Sequence, residues 1–117
     1  MLEKEIDALA AVEPVMRIFS QLMEWRLPGS YRFEESFPDE YAVWVRSASV
    51  LSGSKDADFR AFGKSMRKIA QMMKELDRLP KESRAFRRKV SQFLRLAAQC
   101  ARVGERMTER LAVMNGV

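Results

Sequence analysis

The feature that most constrains the fold is an unbroken alternation of apolar residues, three and four apart, through the last third of the chain. The positions are Phe86, Val90, Phe93, Ala97, Cys100, Gly104, Met107, Leu111 and Met114. A repeat with a mean spacing of ~3.5 residues keeps one stripe of a helix turned toward a partner helix. We therefore expect one long helix from Lys81 to Met114, roughly 50 Å long at ~1.5 Å per residue.

The spacing of apolar residues and the positions of capping and helix-breaking residues predict three further helices upstream. The first covers residues 2–26, the second 38–51, and the third 54–79, with Ser54 as its N-cap. Pro14 lies inside the first of these segments, where a proline lacks the amide hydrogen and clashes with the preceding turn. A kink or a break is expected there.

The chain is thus predicted to be all-α, in one domain covering residues 1–117. The expected architecture is an antiparallel four-helix bundle, or five helices if Pro14 breaks the first, with a long C-terminal helix. The short link around Pro80 favours an antiparallel hairpin of the last two helices.

Two absences restrict the chemistry. The sequence has no histidine, which removes the commonest general base and the commonest metal ligand, and it has one cysteine, Cys100. No catalytic, cofactor-binding or metal-binding residues are predicted, and no small-molecule substrate is expected. The lone cysteine and the lack of a targeting segment or an apolar run of ~18 residues predict a cytoplasmic protein without a membrane span.

Charge is distributed unevenly. Residues 1–58 carry 6 basic and 11 acidic side chains, a balance of −5, whereas residues 59–117 carry 15 basic and 5 acidic ones, a balance of +10. Basic side chains seven residues apart follow the last helix opposite its apolar stripe, and others flank them. The candidate polyanion-binding residues are Lys64, Arg67, Lys68, Lys81, Arg84, Arg87, Arg88, Arg95, Arg102 and Arg106. The alternative is a solvated outer face with weak ion pairs.

The length of the last helix predicts an interface. The other helices look too short to cover it unless the first runs straight through Pro14, which leaves apolar residues near its end without intramolecular partners. The candidate interface residues are Met72, Val103, Met107, Leu111 and Met114. A homo-oligomer, most simply a two-fold dimer, is expected.

Small side chains follow one another along the stripe, including a glycine at position 104. A glycine inside a helix costs up to ~1 kcal/mol relative to alanine, so a neighbour should compensate. We expect Trp44, Phe19 or another subunit to pack into this notch.

Together these patterns favour a non-enzymatic helical adaptor or regulatory protein that acts through protein–protein binding and self-association. The alternative is a nucleic-acid-binding accessory protein that uses the basic stripe on the last two helices. Binding would then depend on phosphate contacts, with little reading of base edges.

Overall fold

The computed structural model describes residues 2–24, 33–80 and 83–114, and all regular secondary structure in these ranges is helical. The helices in chain order are α1 (Glu3–Glu24), α2 (Phe33–Ser36), α3 (Pro38–Ser52), α4 (Ala57–Arg78) and α5 (Arg84–Met114). Four long helices, with α2 as a single turn before α3, confirm the predicted all-α four-helix fold.

The first helix does not break at Pro14, which lies inside α1. Proline leaves the carbonyl four residues earlier, that of Ala10, without its helical hydrogen bond. Both Pro14 and Ala10 are exposed, so water can satisfy the carbonyl. α1 continues through this position, so the break that would have given five long helices is absent.

The helices pack in sequence order. α1 packs on α3, α3 on α4, and α4 on α5. Between α3 and α4, Trp44 Nε1 donates to the carbonyl of Met66 at 2.9 Å, and Tyr41 Oη donates to the carbonyl of Ala70 at 3.3 Å. The earlier residue on α3 meets the later one on α4, so these two helices run in opposite directions.

The last two helices form a hairpin fixed at both ends by ion pairs. Near the turn, Lys89 Nζ lies 2.6 Å from a carboxylate oxygen of Glu75. At the far end, the guanidinium of Arg110 binds the carboxylates of Asp56 and Asp58, just before and inside the first turn of α4. α4 therefore runs beside α5 as far as Arg110, and α5, at ~1.5 Å per residue, sets the 49 Å long axis of the molecule.

Both helices of the hairpin begin with side-chain caps. The N-cap of α4 is Asp56, whose carboxylate accepts from the amides of Asp58 and Phe59, and not Ser54 as the sequence predicts. Ser54 instead accepts from the amide of Asp56 and supports the cap from outside. α5 begins later than predicted, because Ser83 Oγ accepts from the amide of Phe86 and starts the helix at residue 84.

Candidate partner-binding groove

An apolar groove of about 980 Å³ lies between α1 and α5. These two helices are the outermost of the four, and each makes its main contacts with an inner helix, not with the other. α4 forms most of the floor, with Trp44 of α3. The main lining residues are Ile6, Leu9, Ala10, Glu13, Met16, Phe19, Trp44, Phe62, Ile69, Met73, Phe93, Leu94, Ala97, Ala98, Cys100, Ala101, Gly104, Glu105, Thr108 and Glu109.

The α1 wall exists because this helix has two adjacent apolar faces. Its first face is buried in the core and consists of Ala8, Val12, Val15 and Phe19. A second face, rotated around the helix, brings Ile6, Leu9 and Met16 to the groove. At ~100° per residue the two faces cover roughly half of the helix circumference, more than one neighbouring helix needs. Ile6 remains 43% exposed.

The α5 wall is lined mainly by small side chains, with a larger apolar residue at one end. Ala98 and Ala101 are exposed, and Leu94 is 47% exposed. Gly104 is half-buried, and a Cβ built on it would lie 3.2 Å from the ring of Phe62 on α4. The notch predicted at this glycine therefore exists, but Phe62 packs against it, whereas the sequence favours Trp44, Phe19 or another subunit.

Two groups that line the groove, the indole of Trp44 and the thiol of Cys100, are satisfied or inert. The indole of Trp44 is committed to the carbonyl of Met66. Cys100 is 4% exposed, and burial raises the pKa of its thiol to about 12. The thiol therefore stays protonated near neutral pH, where only the thiolate would act as a nucleophile.

The charged residues of the groove are all acidic. Glu13 of α1 and Glu105 and Glu109 of α5 line it, and no lysine or arginine does. α5 carries eight basic and two acidic residues, and both acidic residues line the groove while none of the basic ones does. Among the described residues, neither Glu105 nor Glu109 has an ion-pair partner, whereas Glu13 pairs with Arg17 at 2.6 Å.

One of the predicted interface residues, Met107, does not lie at the surface. Met107 is 1% exposed and belongs to the core of its own chain, while Met72 and Val103 are half-buried and pack against that core. α4 is shorter than predicted, but it begins opposite Arg110 and so covers the residues of α5 before that position. The side chains of Leu111 and Met114 lie outside the described part of the chain.

The candidate polyanion-binding residues in the described ranges do not line the groove. Lys64, Arg67 and Lys68 on α4 and Arg84, Arg87, Arg88, Arg95, Arg102 and Arg106 on α5 are all exposed. On α5, residues 84, 88, 95, 102 and 106 fall within about 40° of one another at ~100° per residue. None of these side chains forms an ion pair within the described ranges. Lys81 lies outside them.

The groove itself was not predicted from the sequence. The signal that could have found it is the width of the apolar arc on α1, where Ile6, Leu9 and Met16 exceed what one packing face requires. On α5 the signal is Leu94, which lies off the main stripe together with the exposed alanines at 98 and 101.

Comparison with known proteins supplies no relative: no family model, no curated protein and no solved structure matches the chain. In the described ranges, no three or more His, Cys, Asp or Glu side chains are grouped to hold a metal ion. None of the helices described has the length and apolar character needed to cross a membrane.

Proposed function

We propose that this chain is a non-enzymatic adaptor that binds an amphipathic helix of a partner protein in the groove between α1 and α5. The observation that carries the proposal is the pair of facing apolar walls, which α1 and α5 leave uncovered above a floor formed by α4. An incoming helix would pack against all three, as helices do in groove-type recognition.

Burial supplies the driving force. Ile6 on one wall and Leu94 on the other each expose more than two-fifths of their surface. Removing apolar surface from water stabilises a complex by about 25 cal/mol per Å² before the costs of ordering are subtracted. The small side chains at Ala98 and Ala101 allow the backbone of a partner helix to come close. Anchoring side chains on that helix would recur every three or four residues.

The proposal is tested by filling the groove. Ala101→Trp places a large ring on the exposed α5 wall without entering the core, and Gln99→Trp places the same ring on an exposed position outside the groove. A displayed library of amphipathic helices of about 18 residues, ~27 Å long, serves as the probe. Wild-type protein should enrich binders whose affinity falls at least about tenfold for Ala101→Trp, equivalent to ~1.4 kcal/mol, and stays unchanged for Gln99→Trp.

Binders that tolerate Ala101→Trp as well as Gln99→Trp would show that the groove is not the docking site. Light scattering of the chain alone tests the other occupant, a second copy. If a wild-type dimer becomes monomeric in Ala101→Trp, self-association fills the groove and the proposed partner helix is wrong.

A second candidate function is supported by the exposed basic row on α5. Arginine forks suit phosphate, and a row along one side of a helix can follow a nucleic-acid backbone. Replacing Arg88, Arg95 and Arg102 with Glu should abolish binding of a labelled DNA duplex. For the wild-type protein, the logarithm of the affinity should fall with the logarithm of the salt concentration, with a slope of about 0.9 per contacted phosphate.

The matched control for this second candidate replaces three exposed basic residues elsewhere, Lys4, Arg46 and Arg78, with Glu. The net charge changes by the same amount in both triple variants. Equal loss of DNA binding in the two would mean that the overall charge of the chain, and not the α5 row, holds the duplex.

A further inference from the structure

We infer that the helix bound in the groove is basic along its flanks, with lysine or arginine residues beside its apolar face that meet Glu105, Glu109 and Glu13; this inference rests on the proposed helix-binding function. The chain as a whole carries a net charge of +5, so its overall field attracts acidic partners. The apolar groove, by contrast, has only acidic charged residues in its lining.

The segregation of charge on α5 is the first argument. Basic residues outnumber acidic ones by eight to two on this helix, yet only the two acidic ones, Glu105 and Glu109, line the groove. Residues four positions apart share one side of a helix, and for this pair that side is the groove wall. A partner with basic flanks would give them a complementary surface.

The second argument is the spacing of the two carboxylates. Glu105 and Glu109 are one helical turn apart, where like charges repel and slightly destabilise the helix. Neither has an ion-pair partner among the described residues, although arginines are abundant on the same helix. Two basic residues three or four positions apart on the partner helix would match the ~6 Å rise between them.

The third argument is that the opposite wall carries the same sign. Glu13 lines the groove from α1, and its ion pair with Arg17 is exposed on both sides. Exposed pairs of this kind contribute little, so the pair can be exchanged for one with the partner at small cost. The flank of the bound helix that faces α1 is therefore also expected to be basic.

A selection experiment measures which flank charges the groove prefers in a bound helix. The displayed helix library, with its flanking positions randomised among acidic, neutral and basic residues, is selected on wild-type protein. Binders that depend on an open groove, identified by their loss with Ala101→Trp, should be enriched in lysine and arginine at the flanks. The net positive charge of the protein predicts the opposite enrichment, so the result separates local from overall electrostatics.

The consensus basic peptide is then measured on charge variants. Glu105→Lys/Glu109→Lys should weaken its binding about tenfold, from two exposed pairs lost and two repulsions gained. Asp7→Lys/Asp39→Lys changes the net charge equally at exposed positions outside the groove and should change affinity less than about twofold. Glu105→Gln/Glu109→Gln, which adds no repulsion, should lie between the two.

The possible failures are distinguishable. Groove-dependent binders with neutral or acidic flanks would overturn the basic occupant and leave the helix-binding function standing. Equal weakening by both lysine pairs would also overturn it, because the effect would come from overall charge. If no binder depends on an open groove, the proposed function itself is wrong.

Discussion

Gly63 is the position where the packing of this fold tolerates no side chain. It lies on α4 where α3 crosses, and a Cβ built on it would lie 2.2 Å from the amide nitrogen of Ser52 and 2.6 Å from the carbonyl carbon of Leu51. Both are helix backbone atoms, so no change of rotamer relieves the contact. Gly63→Ala must therefore push α3 and α4 apart.

The size of the effect follows from these distances. Ordinary contacts to a Cβ begin near 3.4 Å, so the nearest atom is about 1.2 Å too close. The interface that must open holds Leu51 and Met66, both fully buried. Overpacking of a well-packed core costs about 1–3 kcal/mol, and a contact this short to backbone atoms belongs at the upper end, while alanine recovers up to ~1 kcal/mol of helix propensity. We expect Gly63→Ala to destabilise the chain by about 2 kcal/mol, a large part of a total of ~5–15 kcal/mol.

The same substitution at Gly104 is the matched control. There the nearest atom is the far end of the Phe62 ring at 3.2 Å, which can shift by a few tenths of an ångström. The gain in helix propensity then dominates, and Gly104→Ala should be neutral or stabilising by up to ~1 kcal/mol. Gly63→Ala should therefore be destabilising and Gly104→Ala should not, although both place a methyl group inside a helix.

Urea unfolding followed by circular dichroism at 222 nm measures both variants. The midpoint should fall for Gly63→Ala and stay or rise for Gly104→Ala, with the same slope as wild type if unfolding stays two-state. A Gly63→Ala variant as stable as wild type would refute the close crossing of α3 and α4. A Gly104→Ala variant less stable than Gly63→Ala would refute the argument from backbone against side-chain contacts.

Two further predictions concern titrating groups. Asp56→Ala should cost about 0.5–2 kcal/mol through loss of the α4 cap, whereas Asp56→Asn should keep most of the cap. The hydrogen bond from Arg110 holds the pKa of Asp56 below its usual value of 3.8. The ionised carboxylate therefore stabilises the folded chain above pH 3.8, and this stabilisation is lost as the pH falls through the folded pKa. Asp56→Asn should lack this loss of stability in acid. Burial raises the pKa of the Cys100 thiol to about 12, so iodoacetamide at pH 8 should label it slowly in the native protein and quickly in urea. The buried, protonated thiol should favour the folded state fully below about pH 9, and this stabilisation should be lost as the pH rises from about 9 to 12. Fast native labelling, or identical acid unfolding of wild type and Asp56→Asn, would contradict these assignments.

The sequence by itself determined the apolar stripe by which most of α5 packs on the rest of the chain. On α5, Phe86, Phe93 and Cys100, which are spaced seven residues apart, are buried as their spacing predicts. Periodicity suffices here because a helix must shield its apolar stripe wherever that stripe meets another element. Capping and helix-breaking residues also predicted four long helices but left open a fifth through a break at Pro14, and the caps at Asp56 and Ser83 differ from the predicted starts by a few residues.

Only the tertiary structure decided what each face packs against. Met107 was expected at an interface, but the offset of the α4–α5 hairpin, with Arg110 beside Asp56, encloses it within its own chain. The groove arises because α1 packs on α3 and leaves its second apolar face, with Ile6, opposite α5. Apolar periodicity predicts that a helix face is buried, but it does not predict which helix packs against that face, because helix pairing is set by contacts between residues far apart in the chain. The close approach at Gly63 has the same origin, because it arises where α4 crosses α3 and cannot be predicted from the sequence of either helix alone.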